Sequence, residues 1–340
     1  MSQYTPEAVT RKVQLTGSST YVISIPKAWA RSHGLESGMS MQVYPSSDRL
    51  LIAPTPIDDG ERSTVIDVAE TSPELAFRRI TAAYVRGSDR IDLVGVDRID
   101  EGLRRRFVRS IGTFVGFEVV DERPDVIVAR DLLDPADVSL PQTVAQLRTL
   151  ALEMLDDALE AVLTGDDALA QRVVERDDEV DRLFAFVARG FHRGLVDVHE
   201  VDRFDIDRSS AFQAYDVARQ LERVADHAER IARQVDGLPA PSTPPVADHL
   251  SQVATAARDV VELALAGEHE RALAEASRAE SALERADAAF RSDAVVETPA
   301  ESYAYGLVLE SLRRTALYGV NVVDATAHGS VLEAAGDGGG

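Results

Sequence analysis

The chain has 340 residues, with 58 Asp and Glu against 36 Lys and Arg, for a formal net charge of −22. Its 45 % apolar content is enough to bury real cores, and at roughly 150 residues per domain the length points to two or three folded units. The absence of cysteine excludes disulfides, thiol catalysis and cysteine zinc sites, and no run reaches the ~18 uncharged apolar residues of a membrane span. The first residues, MSQYTPEAVTRKV, lack the apolar run of a secretory signal, so a cytoplasmic protein without membrane insertion is expected.

The charge is uneven. Only Lys12 and Lys27 are lysines, and all other cationic residues are arginines. Residues 1–55 hold Arg11, Lys12, Lys27, Arg31 and Arg49 against Glu7, Glu36 and Asp48, a net of +2 that leaves −24 on the remainder. A basic island on an acidic chain points to an anionic partner for that island alone. The lysine-poor, acid-rich balance resembles that of halophilic proteins of the haloarchaeal type, whose self-repulsion is screened within about 3 Å in molar salt. An acidic helical protein from a GC-rich genome is the other reading.

In chain order, residues 12–15 and 21–25 alternate apolar and polar as half-buried strands do, around the polar turn Thr16-Gly17-Ser18-Ser19-Thr20. Pro26 opens a short helix over 27–33 and Gly34 stops it. Residues 41–44 and 49–53 form a second strand pair. Fewer than fifty residues arranged β-β-α-β-β make too small a core for a monomer, so dimerisation is expected. After a linker from Pro54 to about Arg62, a small α/β unit follows: strand 64–68, helix 73–86, strand 90–94, helix 101–112, and strands 117–120 and 125–129 as a hairpin. It holds no GxGxxG, phosphate loop or nucleophile elbow. Beyond Pro141 the spacing predicts helices near 142–163, 167–196, 206–235, 246–266, 269–295 and 300–333, divided by the proline-rich stretch 236–245 into two three-helix halves.

Two resemblances attach to these segments. The run from Leu221 to Ala232, LERVADHAERIA, is similar to the signature of the PhoU family, which is built from two three-helix repeats. The order of basic strand, Gly/Ser turn, apolar strand and Pro-Lys helix over about 9–54 resembles the SpoVT/AbrB superfamily, whose members form interleaved dimers that present cationic hairpins to DNA. The implied architecture is multidomain: a swapped-hairpin β domain of AbrB-like type over 1–55, a small α/β domain over 63–135, and a PhoU-like all-α double three-helix bundle over 140–236 and 246–333. For DNA contact the resemblance singles out Arg11, Lys12, Thr16, Ser18, Ser19, Thr20, Lys27 and Arg31. Arginine can engage guanine or phosphate bidentately, and hydroxyls can donate to phosphate. A dimerisation module without DNA affinity is the alternative.

Glu222 and Asp226 are spaced i, i+4, as are Asp177 and Asp181 on the preceding helix, so each pair projects from one helix face. If the helices are antiparallel neighbours the four carboxylates converge, and such hard oxygen donors suit a divalent or trivalent cation. A solvated acidic face is the alternative. The PhoU resemblance implies that these four residues bind metal in the first repeat, with iron, Mn or Mg as the candidates. In the second repeat Arg313 and Leu317 stand where the signature has acids, although Glu280 and Glu284 keep the spacing, so that cluster is expected to be lost. His227, one residue after Asp226, points about 100° away and is expected to face solvent; Trp29 is expected in core or dimer packing.

No nucleophile, base and oxyanion set appears, and no Glu-x-x-His, so a non-enzyme is expected. Together the resemblances imply a homodimeric, DNA-binding regulator of phosphate uptake and homeostasis acting at promoters of phosphate-responsive genes. The alternative is an adaptor that contacts phosphate transporter components or their sensor kinase, with the hairpin only dimerising.

Overall fold

The computed structural model describes residues 9–17, 20–45, 50–53, 61–133, 138–196, 208–239, 242–291 and 296–336. They belong to two compact units, Met1–Gly60 and Glu61–Gly340.

In the first unit, β1 (Gln14–Thr16) pairs antiparallel with β2 (Thr20–Val22), and β3 (Gln42–Pro45) pairs antiparallel with β4 (Leu50–Ala53). The one-turn helix α1 (Lys27–Ser32) lies between the two hairpins, led in by Pro26. The second strand is shorter than its apolar run predicts. Pairing ends at Gln14↔Val22, and Ile23, Ser24 and Ile25 continue outside the ladder. None of the unit's described side chains is buried.

The second unit begins with a four-stranded sheet made of β5 (Ser63–Asp67), β6 (Arg90–Val94), β7 (Phe117–Glu122) and β8 (Val126–Asp131), in the order β5-β6-β8-β7. Strands β5 and β6 are parallel, so their connection must cross over, and it does so through α2 (Pro73–Val85). The β6–β8 and β8–β7 pairs are antiparallel. Ser72 caps α2, and Asp100 caps α3 (Glu101–Gly112) by accepting from the Leu103 amide at 2.9 Å. One sheet face meets both helices through Ile66, Ile80, Tyr84, Ile91, Leu93, Phe107, Ile111 and Ile127, all buried.

Six long helices follow: α4 (Leu140–Thr164), α5 (Asp167–Val196), α6 (Arg208–Ala232), α7 (Pro244–Leu265), α8 (His269–Phe290) and α9 (Pro299–Gly336). They pack as two three-helix sets, α4/α5/α6 and α7/α8/α9, with α6 against α9 and α4 against α7 between the sets. The α4–α5 and α7–α8 turns are equivalent, each using a glycine in the left-handed region, Gly165 at φ 72° and Gly267 at φ 74°. The third helix is shorter than the expected 206–235, because a 3₁₀ turn at Val235–Gly237 turns the chain toward Pro239. Among the described residues, no helix is long and apolar enough to cross a membrane.

The sheet unit is docked on α5. Helix α2 packs along it, and Ala185 of α5 enters the core beneath the sheet. Two arginines of α5 make the polar part of this junction. Arg189, 3 % exposed, donates to the Tyr84 carbonyl at 2.7 Å and to Asp131, and its guanidinium lies 4.9 Å from the Tyr84 ring and 5.1 Å from that of Phe117. Arg193 bridges Asp89 at 2.9 Å and Asp131 at 3.2 Å. Gly87, at φ 89°, leaves room for it: a Cβ there would lie 2.5 Å from Arg193 Cγ. Losing a charge-assisted hydrogen bond to a buried carboxylate costs about 1.5–3 kcal/mol. Arg189→Ala leaves Asp131 with Arg193 and removes the donor to the Tyr84 carbonyl, so it is expected to destabilise the chain by about 2 kcal/mol in urea denaturation, with earlier proteolytic release of residues 61–133. A loss under about 1 kcal/mol would mean that Arg193 and apolar packing hold the sheet on α5 without it.

Candidate functional site

Helices α5 and α6 run antiparallel, and a row of carboxylates lies along the line where they meet. From α5 come Asp177 and Asp181, and from α6 come Glu222 and Asp226. Glu229, three residues further on, extends the α6 row to i, i+4, i+7. Apolar residues on the neighbouring faces, Val173 and Val180 of α5 and Leu221, Ala225 and Ala228 of α6, are packed in the bundle core and fix the rotation that turns the acids toward each other.

The electrostatics record this proximity. Burial pushes Asp177 up from 3.8 to about 7, reinforced by Asp181, Glu229, Asp226 and Asp178. Burial likewise pushes Glu222 up to about 7, with Asp226, Asp181 and Asp177 adding to the rise and Arg223 opposing it. Asp181 is exposed on the wall of the row yet is also raised, by local desolvation first and then by Asp226, Asp178 and Glu229. Asp226 is raised by burial against the opposing pull of Arg230, with Glu229 adding to the rise. Asp177 Oδ1 is buried without a hydrogen-bond partner. A buried acceptor left unsatisfied among like charges fits a hard cation by donor chemistry. The side chains are not drawn into a ligand shell, however. Among the described residues, no group of three or more His, Asp or Glu is arranged to hold a metal ion.

The equivalent place in the second bundle is different. Arg313 of α9 pairs with Glu280 of α8 at 3.4 Å, and Leu317 is exposed. A salt bridge there replaces the facing carboxylates of the first bundle.

His227 departs from the expectation of solvent exposure. The 100° offset from Asp226 turns it toward α9, which covers it, so that it is 7 % exposed and burial pushes its pKa down to about 4. Glu229, Arg189 and Arg193 were not singled out by the sequence. The i+7 spacing marks Glu229, whereas no local pattern marks the two arginines.

In the N-terminal unit Arg11, Lys12, Thr16, Thr20, Lys27 and Arg31 are all exposed. Arg11 donates to the neighbouring Thr10 carbonyl at 3.0 Å, and Lys27 and Arg31 sit one turn apart on α1. Ser18 and Ser19 lie outside the described residues. Trp29 is half-buried and stacks on His33 at 4.4 Å.

Residues 144–235, which take in most of α4 and all of α5 and α6, match the family model of the PhoU domain. Among solved structures the chain is similar to the phosphate transport system regulatory protein PhoU from Streptococcus pneumoniae, at 16 % identity, with 55 % of this chain and 90 % of that one covered and a TM-score of 0.45. It is also similar to PhoU from Pseudomonas aeruginosa, at 18 % identity, with 55 % and 92 % covered and a TM-score of 0.36. No curated protein matches the chain.

A carboxyl whose folded pKa lies above its unfolded value binds more protons in the folded state, so its contribution to stability falls as pH rises through the interval between the two. For Asp177 that interval runs from 3.8 to about 7. Asp177→Asn is therefore expected to melt close to the parent near pH 4 and progressively above it toward pH 8, both measured in chelator. A difference in melting temperature that is flat across this range would show that the carboxylates are fully solvated.

Proposed function

We propose that this chain is a non-enzymatic, cytoplasmic regulator of phosphate uptake that acts as a DNA-binding homodimer. Its first helical bundle is the sensing element. The observation that carries the reading is the PhoU-domain match over residues 144–235, the segment that also holds the convergent carboxylate row. A hard cation, with iron, Mn or Mg as the candidates, would be held by Asp177, Asp181, Glu222 and Asp226, with Glu229 beside them. When bound, it supplies the positive charge that lets these carboxyls ionise together. The N-terminal unit supports the DNA part by its basic charge and by its exposure. Leu15 is 60 % and Tyr21 77 % exposed, and two hairpins with no buried side chain among the described residues call for a second copy to interleave with, as in the AbrB-like arrangement.

A second reading draws on the same domain match: an adaptor contacting phosphate transporter components or a sensor kinase, with the hairpins serving only to dimerise. The charge balance separates the two. The rest of the chain carries a net charge of −24 that repels the polyanionic DNA backbone, so DNA affinity has to come from a few focused contacts in the hairpin. Arg11→Ala with Lys12→Ala removes four cations per dimer. With promoter fragments of phosphate-responsive genes, the slope of log affinity against log salt is expected to flatten by about 3 to 4. An unchanged slope, or no binding by the unmodified dimer, would leave the adaptor.

The metal part is tested separately. Mn²⁺ is expected to raise the melting temperature of the chain, less so in Asp181→Ala or Glu222→Ala, and by the full amount in Glu284→Ala. Equal loss in all three variants would count against a site confined to the first bundle.

A further inference from the structure

Helix α6 carries a second charged row beside the first. Arg223, His227 and Arg230 each follow one of the acids Glu222, Asp226 and Glu229 by a single residue, which places them about 100° round the helix, on the flank toward α9. Across from them on α9 are Arg314, Tyr318 and Asn321. The contacts pair off in antiparallel order. Asn321 Nδ2 donates to Gln220 Oε1 at 3.1 Å, the Arg223 guanidinium lies 5.6 Å from the Tyr318 ring, and the Tyr318 hydroxyl is 3.4 Å from His227 Nε2. Arg230 and Arg314 are both near enough to act electrostatically on His227.

Two features of this seam call for a ligand. Arg223 and Arg230 feel the charge of nearby Asp226, yet among the described residues neither makes an ion pair, on a chain with 58 acidic residues to choose from. Among the described residues Arg314 pairs along its own helix, with Glu310 at 2.9 Å, and Glu310 opposes the two arginines at His227. The second feature is His227 itself, more than nine-tenths buried, with a ring Nδ1 that has no hydrogen-bond partner. The guanidiniums of Arg230 and Arg314 flank a buried, half-satisfied imidazole, with Arg223 against the Tyr318 ring beside it, and an anion among them would join groups of like charge. A phosphoryl dianion has oxygens in several directions, and arginine forks match them in pairs.

We propose that Arg223 and Arg230 of α6 and Arg314 of α9 form a binding site for a phosphoryl dianion, over a floor made by His227 and Tyr318. The site joins the two bundles, because each contributes a cation. The assignment concerns binding alone and stands whether or not the chain acts on DNA.

Calorimetric titration of the full chain with inorganic phosphate and with AMP tests it, together with nitrogen-15 NMR of the imidazoles. Saturable binding is expected, weakened about tenfold or more by Arg230→Ala and again by Arg314→Ala, the loss of one charge-assisted contact each. Both arginines are exposed, and unchanged melting curves would show that the variants fold. The His227 resonance is expected to move with phosphate in the parent and to stay in the double variant. Tighter binding of inorganic phosphate than of AMP supports a free-ion site, and the reverse supports a nucleotide-borne group. No saturable binding of either ligand, equal affinity in the double variant, or binding that leaves His227 unmoved would each overturn the proposal.

Discussion

Helix α6 has to satisfy three neighbours at once, α4, α5 and α9, and its register decides where every charge in the helical region goes. Its apolar residues Leu221, Val224, Ala225, Ala228 and Ile231 are committed to the core. That leaves two flanks, and a period of 3.6 residues assigns the acids to one and the bases to the other. The acid–base doublets 222–223, 226–227 and 229–230 would be interchangeable on a lone helix in water. Packed, they are not: a rotation that turned the carboxylates toward α9 would carry Leu221 and Val224 out of the core. Hydrophobic packing thus sets the electrostatic pattern, and the charged side chains take the positions that remain.

The parts of the molecule governed by local rules were legible. The apolar spacing of the helices, the glycine turns at Gly165 and Gly267, and the i, i+4 carboxylates follow from geometry within a few residues. The replacement of acids by Arg313 and Leu317 was equally visible, and the salt bridge from Arg313 to Glu280 gives the physical sense of it. The rest depended on neighbours distant in sequence. The direction of His227 relative to Asp226 was known, but the covering helix begins at Pro299. Arg189 and Arg193 were not singled out, and their partners Asp89 and Asp131 lie 58 to 104 residues earlier in the chain. No local pattern distinguishes an arginine bound for solvent from one bound for another unit's carboxylates.

The N-terminal unit is limited in a different way. Its hairpins have well-defined registers, Gln14↔Val22 and Gln42↔Ala53 at their open ends, so local order is present although none of the described side chains is buried. Strand pairing and turn chemistry can be specified over a handful of residues, whereas burial needs a second layer. Strand order was readable from sequence, whereas the end of β2 was not: among the described residues no buried face holds Ile23 to Ile25 in the ladder.

The docking of the sheet onto α5 has a mechanical corollary. Asp177 and Arg189 stand on one unbroken helix, Asp167–Val196, and at 1.5 Å per residue they are about 18 Å apart along its axis. An α-helix barely shortens under load, because its hydrogen bonds run along the axis. A small axial slide or roll of α5 at the carboxylate end therefore reaches the guanidinium end almost undiminished, where Arg189 and Arg193 hold Asp89 and Asp131 of the sheet. The carboxylate row and the guanidiniums that hold the four-stranded layer thus share one stiff element, and the distance between them is fixed by helix geometry.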